Sequence, residues 1–215
     1  MVSAPKNVPL NAIHEFVNSR KSWIHEKLTI KEQREEQFAD LARQYRWRML
    51  LRGEWKPVEE LIFENKSQIR ISEKEQIVEV KRGGRISREE LNGAVTGFYK
   101  QLARIEMHNR LIELTEKMPI TFTRVSIRDQ KTRWGSCSSK GSINLNWRMM
   151  KLPPEISDYI LIHELCHRIH MNHSPKFWKL VRSWYPKVDE ATRWIKQNEA
   201  WLFADIGYGS LLSER

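Results

Sequence analysis

The feature that most constrains the fold of this chain is the window from His163 to His173. It contains an H-E-x-x-H motif and four of the chain's seven histidines. Residues four apart in an α-helix lie on one face, so His163 and His167 can both point at one ion. The apolar residues just before the motif cover more than one face, which predicts a helix buried on most sides. The pattern therefore predicts a zinc site on a largely buried helix.

Glu164 has a different predicted role from its histidine neighbours. It lies about 100° around the helix from His163, so it is better placed to contact a metal-bound water than to ligate. A carboxylate in that position can take a proton from the water, which makes Glu164 the candidate catalytic base. The competing interpretation is a buried helix with hydrogen-bonded histidines. It is disfavoured because a buried carboxylate needs a partner.

Helical spacing does not decide the third ligand. His170 stays on the ligand face if the helix continues, whereas His173 reaches the ion only if the helix ends first. Asn172 favours a helix end, and Ser174-Pro175 is typical of a new helix start. We therefore favour His173, and His170 and Glu190 stay open as alternatives.

Composition and charge narrow the class of protein. The two cysteines, Cys137 and Cys166, have no C-x-x-C partner, which favours a reducing cytoplasm over a disulfide framework. The N-terminus lacks the apolar core of a signal peptide, and no run is long enough for a membrane helix. The net charge is +10, and residues 124–151 carry seven basic residues with Asp129 as the only acid. This excess favours an anionic ligand or surface near the site.

Hydrophobic periodicity predicts the order of elements. We expect helices over 9–45 and 88–117, a helix opening at Pro153-Pro154 that runs into the histidines, and helices near 175–184 and 188–203. A hairpin is expected over 46–63, short alternating runs over 68–81, and strands over 120–128 and 142–146. A loop over 133–141 is expected between the last two strands. We divide the chain into an N-terminal helical and β-hairpin accessory part, 1–85, and a metal-dependent hydrolase domain, 86–215.

At several of these positions the sequence resembles the YgjP-like metallopeptidase family, predicted metal-dependent hydrolases related to SprT-type and WLM-type zinc proteins. The matching segments are Arg133 to Cys137, Asn144 to Asn146, Pro153 to Tyr159, the HELCH motif at 163–167, and Asn172 to Ser174 before Phe177-Trp178. The resemblance implies an α+β, zincin-like fold, with a small mixed sheet packed on long helices and an H-E-x-x-H active-site helix.

The same resemblance implies a set of site residues. It implies Zn²⁺ held by His163, His167 and His173, with Glu164 as catalytic base. It also implies a substrate that runs along the strand 142–146. We therefore expect substrate-binding contacts from four residues of the matching segments: Arg133, Trp134, Asn144 and Asn146.

Three functions compete on the sequence alone. The first is a zinc peptidase in which Glu164 activates a zinc-bound water and an edge strand aligns an extended peptide. The second is a metal-dependent nucleoside triphosphate pyrophosphohydrolase, favoured by the basic segment 124–151. The third is a nucleic-acid-associated zinc protein. We favour the peptidase, with a peptide or an anionic small molecule as substrate, and regard nucleic acid as a less favoured partner.

Overall fold

The computed structural model describes residues 5, 8–44, 48–57, 60–62, 68–72, 77–82 and 88–203. The chain divides into two compact units, Met1–Gln44 and Tyr45–Arg215. The partition into functional parts 1–85 and 86–215 stays a prediction.

The first unit contains two helices where the sequence predicts one helical region. Helix α1 spans Leu10–Ser19 and α2 spans Lys21–Gln44. The break falls at Arg20, whose N–H bonds to the carbonyl of Val17 at 3.1 Å. The Ser19 hydroxyl donates to the carbonyl of Phe16 at 2.7 Å. Such local side-chain bonds compete with the regular helical ladder.

The second unit begins with a β-hairpin, as predicted. Strands β1 (Arg48–Leu51) and β2 (Glu54–Pro57) are antiparallel, and both turn residues, Arg52 and Gly53, have positive φ. Next comes a sheet of β3 (Glu60–Ile62), β4 (Gln68–Ser72) and β5 (Ile77–Arg82), in the order β3-β5-β4. The hairpin turn is anchored to the rest of the unit, because Arg52 N–H donates to the carbonyl of Met150 at 2.8 Å.

A second three-stranded sheet supports the predicted site. It consists of β6 (Arg124–Arg128), β7 (Gly135–Cys137) and β8 (Ser142–Asn146), in the order β6-β8-β7. Strand β8 pairs with β6 in parallel and with β7 antiparallel, so the sheet is mixed. Two expectations are wrong here. Residues 135–137 form a strand within the predicted loop, and β8 is the central strand, already hydrogen-bonded on both sides, so no substrate strand can pair with its backbone.

Helices account for most of the remaining described residues. Helix α3 spans Arg88–Lys117, a 3-10 helix spans Trp147–Lys151, and α4 spans Pro154–Cys166. Helices α5 (Pro175–Trp184) and α6 (Val188–Phe203) follow. These bounds match the predicted helices, whereas the 3-10 helix was not predicted. None of the described helices is long and apolar enough to cross a membrane.

The sheet and helices share one core. On β8, Ile143 and Leu145 are fully buried, whereas Ser142 and Asn144 are half-buried, as the period of a strand requires. Strand β7 packs on α4 and β6 packs on α3. The expected α+β arrangement of a small mixed sheet on long helices is therefore confirmed.

Candidate metal centre

Three histidines converge where α4 ends. His163 lies in the last turn of α4, and His167 is its C-cap. The chain then turns, and Ser174 caps α5 by accepting a hydrogen bond from the N–H of Phe177. This helix break brings His173 back, so that its Nε2 lies 3.0 Å from Nε2 of His163. Ligand nitrogens of His163, His167 and His173 all lie within 4.8 Å of one another.

The two alternative third ligands, His170 and Glu190, are not part of this cluster. The carbonyl oxygen of His170 lies 3.0 Å from Nδ1 of His167. That bond orients the ring and leaves Nε2 of His167 for a ligand, a common arrangement around histidine-bound metals. His170 therefore contributes its backbone to the cluster.

Aromatic rings stack on the histidines, and burial lowers the pKa of two of them. Phe177 stacks on His167 at 4.5 Å between ring centroids, and Trp178 stacks on His173 at 5.5 Å. Burial, with a smaller contribution from the other two rings, lowers the pKa of His163 to about 3. Burial also lowers the pKa of His167. Neutral imidazoles are the form that binds a metal.

The arrangement fits a divalent cation. Tetrahedral zinc with bonds of about 2.0–2.1 Å places two ligand nitrogens about 3.3 Å apart, close to the 3.0 Å between His163 and His173. The donors are three imidazoles, a set that suits zinc. His173 is exposed, so the cluster is open to substrate on one side.

Glu164, the neighbour of His163 in sequence, is buried and forms no ion pair with any residue that the structure describes. Its side chain is 5% exposed, and no described group bonds to its Oε2. Burial raises the pKa of Glu164 to about 8, and the charge of Arg133 opposes this shift. A cation bound by the adjacent histidines would supply the missing positive charge.

The carboxylate lies directly against the backbone of β7. A methyl group at Gly135 would lie 2.6 Å from Glu164 Oε1 and 2.7 Å from its Cγ, so only glycine leaves room. Sequence reasoning missed Gly135 as a site residue. The available signal was a glycine directly after Trp134, because a glycine in a strand often marks a close approach.

Within the part of the chain that the structure describes, strand β7 is an edge strand of its sheet. Trp134 and Ser138 flank β7 and both bond to β8, at 2.8 and 2.9 Å. Antiparallel strands alternate, so the N–H and C=O groups of Gly135 and Cys137 point away from β8. Burial raises the pKa of the Cys137 thiol to about 11, with Glu164 adding to the shift and Arg168 opposing it. Cys137 is therefore a protonated thiol at neutral pH.

Two of the four predicted substrate contacts are structural residues. Asn146 is fully buried, and its Nδ2 donates to the carbonyls of Gln130 and Arg133 at 2.6 and 3.0 Å. Its Oδ1 accepts the N–H of Arg148 at 3.1 Å. Trp134 is 8% exposed and packs on Phe203 at 4.7 Å. The polar or aromatic groups of both residues hold the segment 130–134, and their role as substrate contacts stays a prediction.

Asn144 lies on the face of the sheet that is turned away from the candidate base, and its role as a substrate contact stays a prediction. It pairs with Ser136, so both side chains lie on the sheet face opposite Gly135 and Glu164. There its Nδ2 donates to Ser136 Oγ at 3.3 Å, and its Oδ1 accepts from Arg128 at 3.2 Å. The positive charge of Arg133 acts on Glu164, and its role as a substrate contact stays a prediction.

Two of the seven basic residues in segment 124–151 are buried and form contacts within the protein. Arg148 is 8% exposed, bonds to Asp129 at 2.6 Å, and lies over the ring of Trp147. Lys151 is 3% exposed and donates to the carbonyl of Leu202. These two cations are therefore not available to an anionic substrate.

The sequence of this chain matches a known protein family. The family model described as YgjP-like, metallopeptidase domain, matches residues 1–198. The chain belongs to the YgjP-like metallopeptidase family. Such membership supports a metal-dependent peptidase that uses a divalent ion. A comparison with curated proteins finds no match.

Two solved structures are similar to part of this YgjP-like chain. The metallopeptidase zymogen of Pyrococcus abyssi abylysin is 28% identical, covering 43% of this chain and 94% of its own, with a TM-score of 0.39. The metallopeptidase zymogen of Methanocaldococcus jannaschii jannalysin is 24% identical, covering 43% and 95%, with a TM-score of 0.39.

Proposed function

We propose that this protein is a zincin-like, zinc-dependent peptidase in which His163, His167 and His173 hold the metal and Glu164 is the catalytic base. The observation that carries the proposal is the convergence of three imidazoles, one of which belongs to the neighbour in sequence of a buried carboxylate. Family membership supports the peptidase and the divalent metal, and the all-imidazole donor set supports zinc as that metal.

Zinc held by three imidazoles supplies Lewis-acid polarisation of a carbonyl and lowers the pKa of water. Within this chain, the His167 Nδ1 contact with the carbonyl of His170 keeps the ring oriented. The ring of Phe177 keeps solvent from the inner side of the cluster.

Glu164 is the group that would move the proton. Its carboxylate is held between α4 and the backbone of Gly135, which restricts its orientation. Burial raises its pKa to about 8, and the positive charge of Arg133 lowers it. A metal cation bound by the histidines would lower it further. A carboxylate balanced in this way can take a proton from an attacking water and return it to the leaving amine.

The open edge of β7 suggests how an extended peptide would be aligned. Gly135 and Cys137 direct their backbone groups outward, next to the Glu164 carboxylate. A peptide that adds as a further strand there would place its backbone beside the base and the histidines. Edge strand β7 thus replaces the central strand β8 in our proposal, and Arg133 stays the candidate side-chain contact.

The test combines metal analysis with a substrate panel. We expect one zinc per chain after purification, and cleavage of unstructured peptides that chelator abolishes and zinc restores. Glu164→Gln should keep the zinc and lose at least about a hundredfold in kcat, as expected for a general base. The matched control is Glu116→Gln, an exposed carboxylate on α3. Full cleavage by the Glu164→Gln variant would refute the proposed role of the carboxylate.

The same panel examines the two alternatives. A nucleotide hydrolase should release pyrophosphate from nucleoside triphosphates in a metal-dependent way. The burial of Arg148 and Lys151 weakens that alternative. A nucleic-acid-associated protein should bind DNA or RNA with steep salt dependence. Both alternatives, like the cytoplasmic location, stay predictions.

A further inference from the structure

Arg168, the residue after His167, bonds to two backbone segments far away in sequence. Its Nε donates to the carbonyl of Thr121 at 3.0 Å, and its Nη1 donates to the carbonyl of Ser139 at 2.8 Å. Thr121 lies just before β6, and Ser139 lies in the turn between β7 and β8. One half-buried side chain therefore joins the end of the metal helix to two segments of the sheet.

The guanidinium also lies flat against Gly141. A methyl group there would be 3.0 Å from both Cζ and Nε of Arg168. Gly141 has φ +86, a conformation that favours glycine and turns the chain into β8. The glycine thus serves two needs, the tight turn and the approach of the guanidinium.

The segments that Arg168 contacts are bonded to each other. The N–H of Thr123 donates to the carbonyl of Gly141 at 2.9 Å, and the N–H of Ser138 donates to the carbonyl of Ser142 at 2.9 Å. The β7–β8 hairpin and the start of β6 therefore behave as one unit at this end of the sheet. Arg168 is the described side chain that ties this unit to the turn between His167 and His173.

This tie acts on the part of the sheet that meets the catalytic carboxylate. The hairpin carries Gly135, whose backbone touches Glu164, and Cys137, on whose thiol the charges of Glu164 and Arg168 both act. A shift of the hairpin would move the open edge of β7 relative to the three histidines. Misplacement of reacting groups by about 1 Å can cost about a hundredfold in rate.

We propose that Arg168 is a positioning residue that holds the β7–β8 hairpin, and with it the substrate-aligning edge, at a set distance from the metal-binding turn. This inference rests on the proposed peptidase function for its effect on rate. The mechanical part does not depend on that function, because the contacts belong to the protein itself.

The test replaces the two sides of the contact. Arg168→Lys keeps the charge, but its single ammonium lacks the planar fork that reaches two carbonyls. Gly141→Ala keeps Arg168 and displaces the guanidinium. Arg104→Lys, at an exposed position on α3, is the matched control. Each variant is assayed for zinc affinity, for peptide kcat and KM, and for amide hydrogen exchange over residues 134–145.

We expect kcat to fall about ten- to a hundredfold in Arg168→Lys, while zinc affinity stays within about threefold, because the histidines are untouched. Hairpin amides should exchange at least about tenfold faster, and those of α4 should not change. A double variant that combines Arg168→Lys with Gly141→Ala should have a kcat only slightly below that of the slower single variant, since both substitutions act through one contact.

Several results would overturn the inference. Unchanged hairpin exchange in a folded Arg168→Lys variant would show that Arg168 does not hold the hairpin. Faster exchange with wild-type kcat would reduce Arg168 to a stabilising residue. A zinc affinity lowered tenfold or more would place its effect at the metal itself. If the wild-type protein cleaves no peptide, the proposed function fails, and the exchange data still decide whether Arg168 holds the hairpin.

Discussion

The buried carboxyl of Glu164 leads to a quantitative prediction of how the stability of the metal-free protein varies with pH. Burial raises the pKa of its carboxyl from 4.5 to about 8 in the folded chain. A folded-state pKa above the unfolded value means that the folded protein keeps a proton that the unfolded chain releases. Stability is therefore lost as the pH rises from about 4.5, and the loss levels off above about 8.

The magnitude follows from the size of the shift. A shift of about 3.5 pKa units, at 1.36 kcal/mol per unit, corresponds to at most about 5 kcal/mol of unfolding free energy at pH 8 or above. Glutamine at position 164 has nearly the same shape and never ionises. Chelator-treated Glu164→Gln should therefore match the wild type near pH 4.5 and exceed it by about 2–5 kcal/mol at pH 8.

Urea unfolding of both chelator-treated proteins, at several pH values from 4.5 to 9, measures this difference. Using the difference removes the contribution of His163, which both proteins share and whose lowered pKa changes stability in the opposite direction below pH 6.5. Zinc should reduce the gap, because the cation stabilises the wild-type carboxylate. A stability difference that does not vary with pH would refute the reasoning, since it would mean that Glu164 is not ionised against a burial cost.

Three further predictions concern single side chains. His173→Ala should lose zinc, measured as metal per chain, because its ring belongs to the histidine cluster. His170→Ala should keep the zinc, because only the backbone carbonyl of that residue is used. Equal losses of zinc would contradict the choice of His173 as the third ligand. Gly135→Ala should lower kcat at least about tenfold with zinc retained, because the added methyl group meets the buried carboxylate of Glu164. The control is Gly93→Ala, where a methyl group enters open space. It should stabilise helix α3 by about 0.5–1 kcal/mol in urea unfolding. Asn146→Ala should destabilise the protein by about 1–3 kcal/mol in urea unfolding with KM unchanged, because two hydrogen bonds to backbone carbonyls are lost. A raised KM in a stable variant would instead support the predicted role of Asn146 as a substrate contact.

The predictions that hold are those that depend on local periodicity. The bounds of α3, α5 and α6 follow from apolar spacing and end signals within one segment. The approach of His173 to His163 was also predictable, because Asn172 and Ser174-Pro175 encode a helix end and a helix start.

The predictions that fail depend on which strand pairs with which. Residues 135–137 have little strand propensity of their own, and they form β7 because β8 supplies the hydrogen bonds. Asn144 and Asn146 share one face of an alternating strand, yet the first pairs with Ser136 and the second is buried. The sequence alone could not show which polar residues of a strand face a site and which face a neighbouring segment.

The histidine window by itself determined the chemistry that we propose, because two candidate ligands and a candidate base follow from one turn of helix. The third candidate ligand follows from signals in the next few residues. Only the tertiary structure decided which strand meets that chemistry. The place of β7 against Glu164 depends on pairing with β8 and on contacts such as that of Arg168 with Ser139. Those interactions join residues far apart in sequence, and their energies depend on the packed fold rather than on local pattern.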